Sequence, residues 1–160
     1  MIEFVSGDVL QADMQYIAQG VAVGSQEGMG TGLALKISIK WPDAQKKFKK
    51  FTFNNKFEGG DLFVANPEID RPGIIYIATQ PDMYHATLPF LTKGLRNLAI
   101  FCSKNKVIDV AVPKMAAGLG KLDWQLEVKP LMRKHLEESK TVFHIFEHFK
   151  DLYEKHLSRS

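Results

Sequence analysis

The chain alternates short apolar runs with segments whose apolar residues recur every three or four positions. The runs cover residues 2–5, 16–23, 60–66, 73–79, 107–112 and 141–146, and each predicts a strand. The run 107–112 is interrupted only by Asp109, as expected of a central strand covered on both faces. Across 86–102, Leu88, Leu91, Leu95, Leu98, Ala99 and Cys102 follow the helical period and predict a helix with one buried face. Residues 33–39 predict another helix, stopping near Trp41-Pro42 because the residue before a proline disfavours the helical region. A short helix is expected over 43–51 with Asp43 as its N-cap. N-P-E-I-D-R-P-G then separates two strands as a turn. A further helix is expected to begin at Pro130, where the missing N–H is not needed, and a terminal one covers 147–156. This alternation predicts an α/β fold, a three-layer α/β/α sandwich with a mixed central sheet. One domain spans residues 1–160, and ligands in such folds sit at the carboxyl ends of the strands.

Composition narrows the function classes. No apolar stretch approaches the roughly 20 residues of a membrane-spanning helix, and the N-terminal M-I-E-F-V-S-G-D lacks the features of a signal peptide. Cys102 is the only cysteine, which excludes a disulfide framework and a thiolate zinc site and makes a cytoplasmic address the default. His144 and His148 lie four apart but straddle an expected strand-to-helix change, so no metal site is expected. The net charge of +3 permits an anionic ligand without requiring nucleic acid. Lys46, Lys47, Lys49, Lys50 and Lys56 cluster around Phe48, Phe51, Phe53 and Phe57. Lysines among aromatics can bind single-stranded nucleic acid; the simpler reading is a solvated helix end whose phenylalanines turn into the core.

Two loops of small residues follow strands. The first, Gly24 to Gly32, leads directly into a helix; the second lies in V-P-K-M-A-A-G-L-G-K-L-D-W, residues 112–124. Glycine lets backbone N–H groups approach a ligand, and an adjacent helix N-terminus favours phosphate. Neither loop is a Walker loop, and neither fits the G-x-G-x-x-G dinucleotide fingerprint.

Taken with Gly7-Asp8-Val9, these loops carry a resemblance. G-D-V after the first strand, M-G-x-G before a helix, and P-K-x-x-x-G-L-G-x-L-D-W after a late strand resemble the macro domain, the ADP-ribose-binding module. The branch indicated is that of terminal ADP-ribose protein glycohydrolase and the DNA ADP-ribosyl glycohydrolase antitoxins. The resemblance implies that Asp8 accepts a hydrogen bond from the adenine amino group and that Val9 packs on the base. A turn-capping role for Asp8 is the alternative. Met29, Gly30, Thr31 and Gly32 would form the first phosphate- and ribose-facing loop. Ala116, Ala117, Gly118, Leu119 and Gly120, preceded by Met115, would wrap the diphosphate, where side chains would block the ligand. Thr79 and Gln80 would complete the pocket. The implied partner is ADP-ribose or an ADP-ribosylated macromolecule, with no cofactor and no membrane.

Catalysis departs from the branch's pattern. A lysine is expected after the strand-terminal threonine, and Gln80 stands there; an amide is no substitute for an amine at an anomeric carbon. Gly120 occupies the position of an aspartate in the human-type enzyme, where the antitoxin relatives have glycine too, and the first loop has Gly24 or Ser25 where many catalytic relatives have asparagine. Glu27 and His85 are the remaining acid–base candidates, each equally readable as an exposed surface residue. Lys114 and Lys121 flank the late loop and complement phosphate charge. Asp123 is expected to cap a turn and Trp124 to anchor the loop. The expected function is ADP-ribose binding. The alternatives are a hydrolase that removes ADP-ribose from protein or nucleic acid, or dephosphorylates ADP-ribose 1″-phosphate, by attack of a positioned water; and a nucleic-acid-binding domain.

Overall fold

The computed structural model describes residues 1–23, 32–82, 84–117 and 120–148. Six strands form one sheet: β1 (Ile2–Ser6), β2 (Tyr16–Ala22), β3 (Leu62–Ala65), β4 (Gly73–Gln80), β5 (Asp109–Pro113) and β6 (Val142–His148). Their order is β1-β6-β5-β2-β4-β3, parallel throughout except for the antiparallel edge strand β3. Every residue of β4 is buried, which is why the interior strands read as unbroken apolar runs rather than alternating ones.

Helices cover both faces. On one side α1 (Gly32–Lys40) and α2 (Pro42–Asn54) press Ala34, Ile37, Ala44 and Phe48 onto Ile17, Ile74 and Tyr76. Phe48 stacks on Tyr76 with ring centroids 4.3 Å apart. On the other side α3 (Leu88–Lys104) and α4 (Lys129–Leu136) bury Leu91, Leu95, Leu98 and Met132 against Ile75, Ile77 and Val110. Thr87 caps α3, its hydroxyl accepting from the Phe90 N–H at 3.3 Å. These layers are the expected sandwich. Among the described residues, no helix is long and apolar enough to cross a membrane.

Four local expectations are corrected. The cap of α2 is Trp41, without a side-chain hydrogen bond; Pro42 takes the first turn, and Asp43 accepts instead from Arg71 Nε at 2.9 Å. That guanidinium also donates to the Asn66 and Pro72 carbonyls, holding the proline-rich turn against α2. The helix expected from Pro130 is preceded by a π-helical turn, Trp124–Val128, that runs straight into α4. Glu147 and His148 continue β6 instead of opening a helix, because pairing with β1 extends that far; residues 149–160 of the expected helix lie outside the described residues. Finally, Phe48 and Phe57 turn into the core, but Phe53 is 90% exposed.

Candidate functional site

The carboxyl ends of β1, β5 and β6 meet the start of α1 around a cleft of about 380 Å³. Asp8, Val9, Gly32, Leu33, Lys36, Pro113, Lys114, Phe146 and Glu147 line it. A short 3-10 turn, Val9–Gln11, follows β1, and Asp8 caps it: Oδ1 accepts from the Leu10 N–H at 2.9 Å. The capping role is therefore real, yet it uses one carboxylate oxygen; Oδ2 has no hydrogen bond among the described residues. Val9, Leu33, Pro113 and Phe146 supply apolar lining to the same cleft, and Lys36 and Lys114 line it too.

The late loop is braced by its own backbone. Ala116 and Lys121 adopt φ of 67° and 65°, a left-handed conformation uncommon for residues with a Cβ. The Ala116 carbonyl accepts from the Leu122 N–H at 3.0 Å, and the Gly120 carbonyl from the Ala86 N–H at 2.9 Å. A Cβ on Gly120 would stand 2.6 Å from the Ala116 carbonyl oxygen and 2.9 Å from the Ala86 methyl. At this position a side chain would strike the loop itself before any ligand. Met115 and Ala116 are buried against the core, Ala117 is half-buried, and Gly118 and Leu119 lie outside the described residues.

The loop's far end is anchored as expected, with a partner that sequence reasoning missed. Asp123 accepts from the Leu126 N–H at 2.8 Å, while Glu127 reaches back to the Asp123 N–H at 2.9 Å. Trp124 is buried, and its Nε1 donates to Glu147 Oε1 at 3.1 Å. Lys129 Nζ meets the same oxygen at 2.6 Å. Lys114 Nζ lies over the Trp124 ring at 5.6 Å, and Lys121 Nζ over the Tyr84 ring at 5.9 Å.

The segment after β4 closes against this loop. Thr79 is fully buried, and its hydroxyl has no partner among the described residues. Gly20 faces it so closely that a Cβ there would sit 2.6 Å from Thr79 Oγ1. Gln80 Nε2 donates to the Asp82 carbonyl at 2.7 Å, so the amide standing in the lysine position is spent on the local turn. Asp82 accepts from the Tyr84 and His85 N–H groups and faces His85 Nδ1 at 3.1 Å. The Tyr84 N–H, ahead of the His85 contacts, holds the Asp82 carboxyl below its ordinary range.

No family model matches the chain. The DNA ADP-ribosyl glycohydrolase of Mycobacterium tuberculosis is 30% identical over 131 residues, covering 78% of this chain and 36% of that protein. This chain thus spans a little over a third of the length of the DNA ADP-ribosyl glycohydrolases it matches. The macrodomain of Thermus aquaticus DarG superposes with a TM-score of 0.82 at 27% identity, over 92% of this chain and 98% of that one. The chain is a macrodomain. Thermosipho africanus DarTG, solved in complex with ADP-ribose, shares the fold with a TM-score of 0.80 at 22% identity, covering 95% of this chain and 42% of that one.

In this macrodomain the cleft gathers Asp8, Val9 and Gly32 from the sequence-derived set, with the late loop continuing from Lys114. Glu27, Met29, Gly30 and Thr31 lie outside the described residues. His85 is exposed and is not among the residues lining the cleft. Leu33, Lys36, Phe146 and Glu147 were missed. Leu33 and Lys36 carried a signal, lying three apart in the first turn of a helix that follows a glycine loop. Glu147 carried none, since its partners lie 18 and 23 residues away in sequence.

Proposed function

We propose that this macrodomain binds ADP-ribose in the cleft above β1, β5 and β6. The observation that carries the reading is that Asp8, with its uncommitted oxygen, shares one cleft with the apolar lining of Val9, Leu33, Pro113 and Phe146. An acceptor-only carboxylate beside an apolar slot suits a flat base that carries an amino donor. The start of α1, Lys36 and Lys114 contribute positive potential for the diphosphate. The resemblance adds Met29, Gly30, Thr31, Gly32, Thr79, Gln80 and residues Met115 to Gly120 as the surrounding shell. Likeness to the DarG macrodomain supports the same reading, and a cytoplasmic address stays part of it. Calorimetry with free ADP-ribose is the test: binding that Asp8→Asn weakens about tenfold is expected, and no heat at millimolar ligand would overturn the assignment.

The second reading is release of ADP-ribose from DNA, favoured by the names of the curated relatives. Gln80 is turned into the local turn where the branch would have a lysine, and Gly120, which admits no side chain, stands where the human-type enzyme would have an aspartate and the antitoxins a glycine. Any turnover falls to a positioned water, with Glu27 and His85 as the acid–base groups to test. Incubation with ADP-ribosylated single-stranded DNA, alongside Glu27→Ala and His85→Ala, decides it. Product that disappears with either variant supports hydrolysis; none above background leaves a binding module.

A further inference from the structure

We propose that the outer face of α2 is a docking surface for single-stranded DNA, separate from the cleft. Lys46, Lys49, Lys50 and Phe53 follow the i, i+3, i+4, i+7 spacing of one helical stripe, and all four are exposed. The opposite face of α2 is committed to the core, where Phe48 and Phe51 pack against Phe57, Phe63 and Tyr76. Phe53 makes no ring contact among the described residues and is 90% exposed. Lys47, off the stripe, is neutralised by Glu68 at 3.2 Å. Lys46, Lys49 and Lys50 form no ion pair among the described residues.

An exposed aromatic ring flanked by unpaired lysines has the chemistry of a stacking platform on a phosphate track: the ring takes a base face and the ammonium groups take the backbone. Base faces are available only where bases are unstacked, which selects single strands over duplex. A lipid surface is disfavoured because insertion needs a broad apolar helix face, and α2 has already buried its own. The choice of DNA rests on the second reading above; the surface itself rests on α2 alone.

Fluorescence anisotropy with a labelled single-stranded DNA of about 16 nucleotides tests the proposal. Binding is expected to survive saturating ADP-ribose and to weaken about tenfold in Phe53→Ala. Lys46→Gln, Lys49→Gln and Lys50→Gln together flatten the slope of log affinity against log salt by about 2. Calorimetry on the same variants returns unchanged ADP-ribose affinity, which separates loss of this surface from loss of the cleft. Competition by ADP-ribose, equal affinity for duplex, tighter binding of RNA of the same sequence, capture by phosphatidylserine vesicles instead of DNA, or an unaffected Phe53→Ala would each overturn it. Absence of turnover on ADP-ribosylated DNA, with this binding intact, sinks only the hydrolase reading.

Discussion

The two ends of the sheet use their polar groups in opposite ways. At the amino ends they close on one another. Asp109 Oδ1 accepts from the Gln15 N–H at 2.8 Å, Gln15 Oε1 accepts from the Ile108 N–H at 2.7 Å, and Thr141 Oγ1 donates to the Val107 carbonyl at 2.7 Å. The N-terminal ammonium adds bonds to the Ser139 and Thr141 carbonyls. At the carboxyl ends Asp8 keeps an oxygen, Lys36 and Lys114 face an open cleft, and the late loop holds left-handed backbone at Ala116 and Lys121. The closed end fixes strand register, and the open end is where a ligand can take over the bonds. At the open end Glu147 joins Trp124 and Lys129, beside the late loop's own backbone bonds.

That brace gives the largest expected effect. Glu147→Ala strands Lys129 and the Trp124 indole together, and urea unfolding should show a loss of about 3 kcal/mol; Glu147→Gln, which keeps an acceptor, should lose less. Equal stability of both variants with the parent would remove the idea of a braced open end. Gly120→Ala comes next, at about 2 kcal/mol, because the added methyl presses on the Ala116 carbonyl and the Ala86 methyl. A thermal melt reads it directly.

A smaller pair sharpens the contrast between the ends. Thr141→Val removes a buried hydroxyl bond and should cost about 1 kcal/mol of stability with ADP-ribose affinity unchanged. Asp8→Asn should do the reverse, because asparagine still caps the 3-10 turn while the uncommitted carboxylate is lost. If both variants move the same observable, the division between the ends is wrong.

The least effect is expected at Cys102, a core residue behind the closed end. Burial pushes its thiol from 9.0 up to about 12. The neutral form is the one favoured in the fold. Its contribution to stability is therefore complete below 9.0 and declines as pH climbs from there toward about 12. A thiol reagent at pH below 9.0 should label the chain only after denaturant is added; rapid labelling of the native protein would contradict this packing.

Much of the fold was legible because its information is local. Apolar runs without alternation gave the interior strands their identity, and the three-and-four spacing of Leu91, Leu95 and Leu98 placed one face of α3 in the core. Phe53 could also have been read: five residues from Phe48, it points about 140° away from the buried face. The end of β6 could not, because strand pairing with β1, across more than 130 positions, decides whether Glu147 and His148 extend or coil.

The same division holds at the site. From the sequence alone come the two small-residue loops, the G-D-V turn, the absence of a lysine at Gln80, and the class of ligand that the resemblance implies. Tertiary structure alone decides that Asp8 spends one oxygen on its own turn, that Gln80 bonds the Asp82 carbonyl, and that Glu147 braces Trp124. It also alters the meaning of Gly120, which is small because the loop's own carbonyl and Ala86 leave no space for a side chain. Residue spacing encodes what neighbours along the chain can do. Which distant group fills the remaining volume or takes the remaining hydrogen bond is settled only when the layers pack.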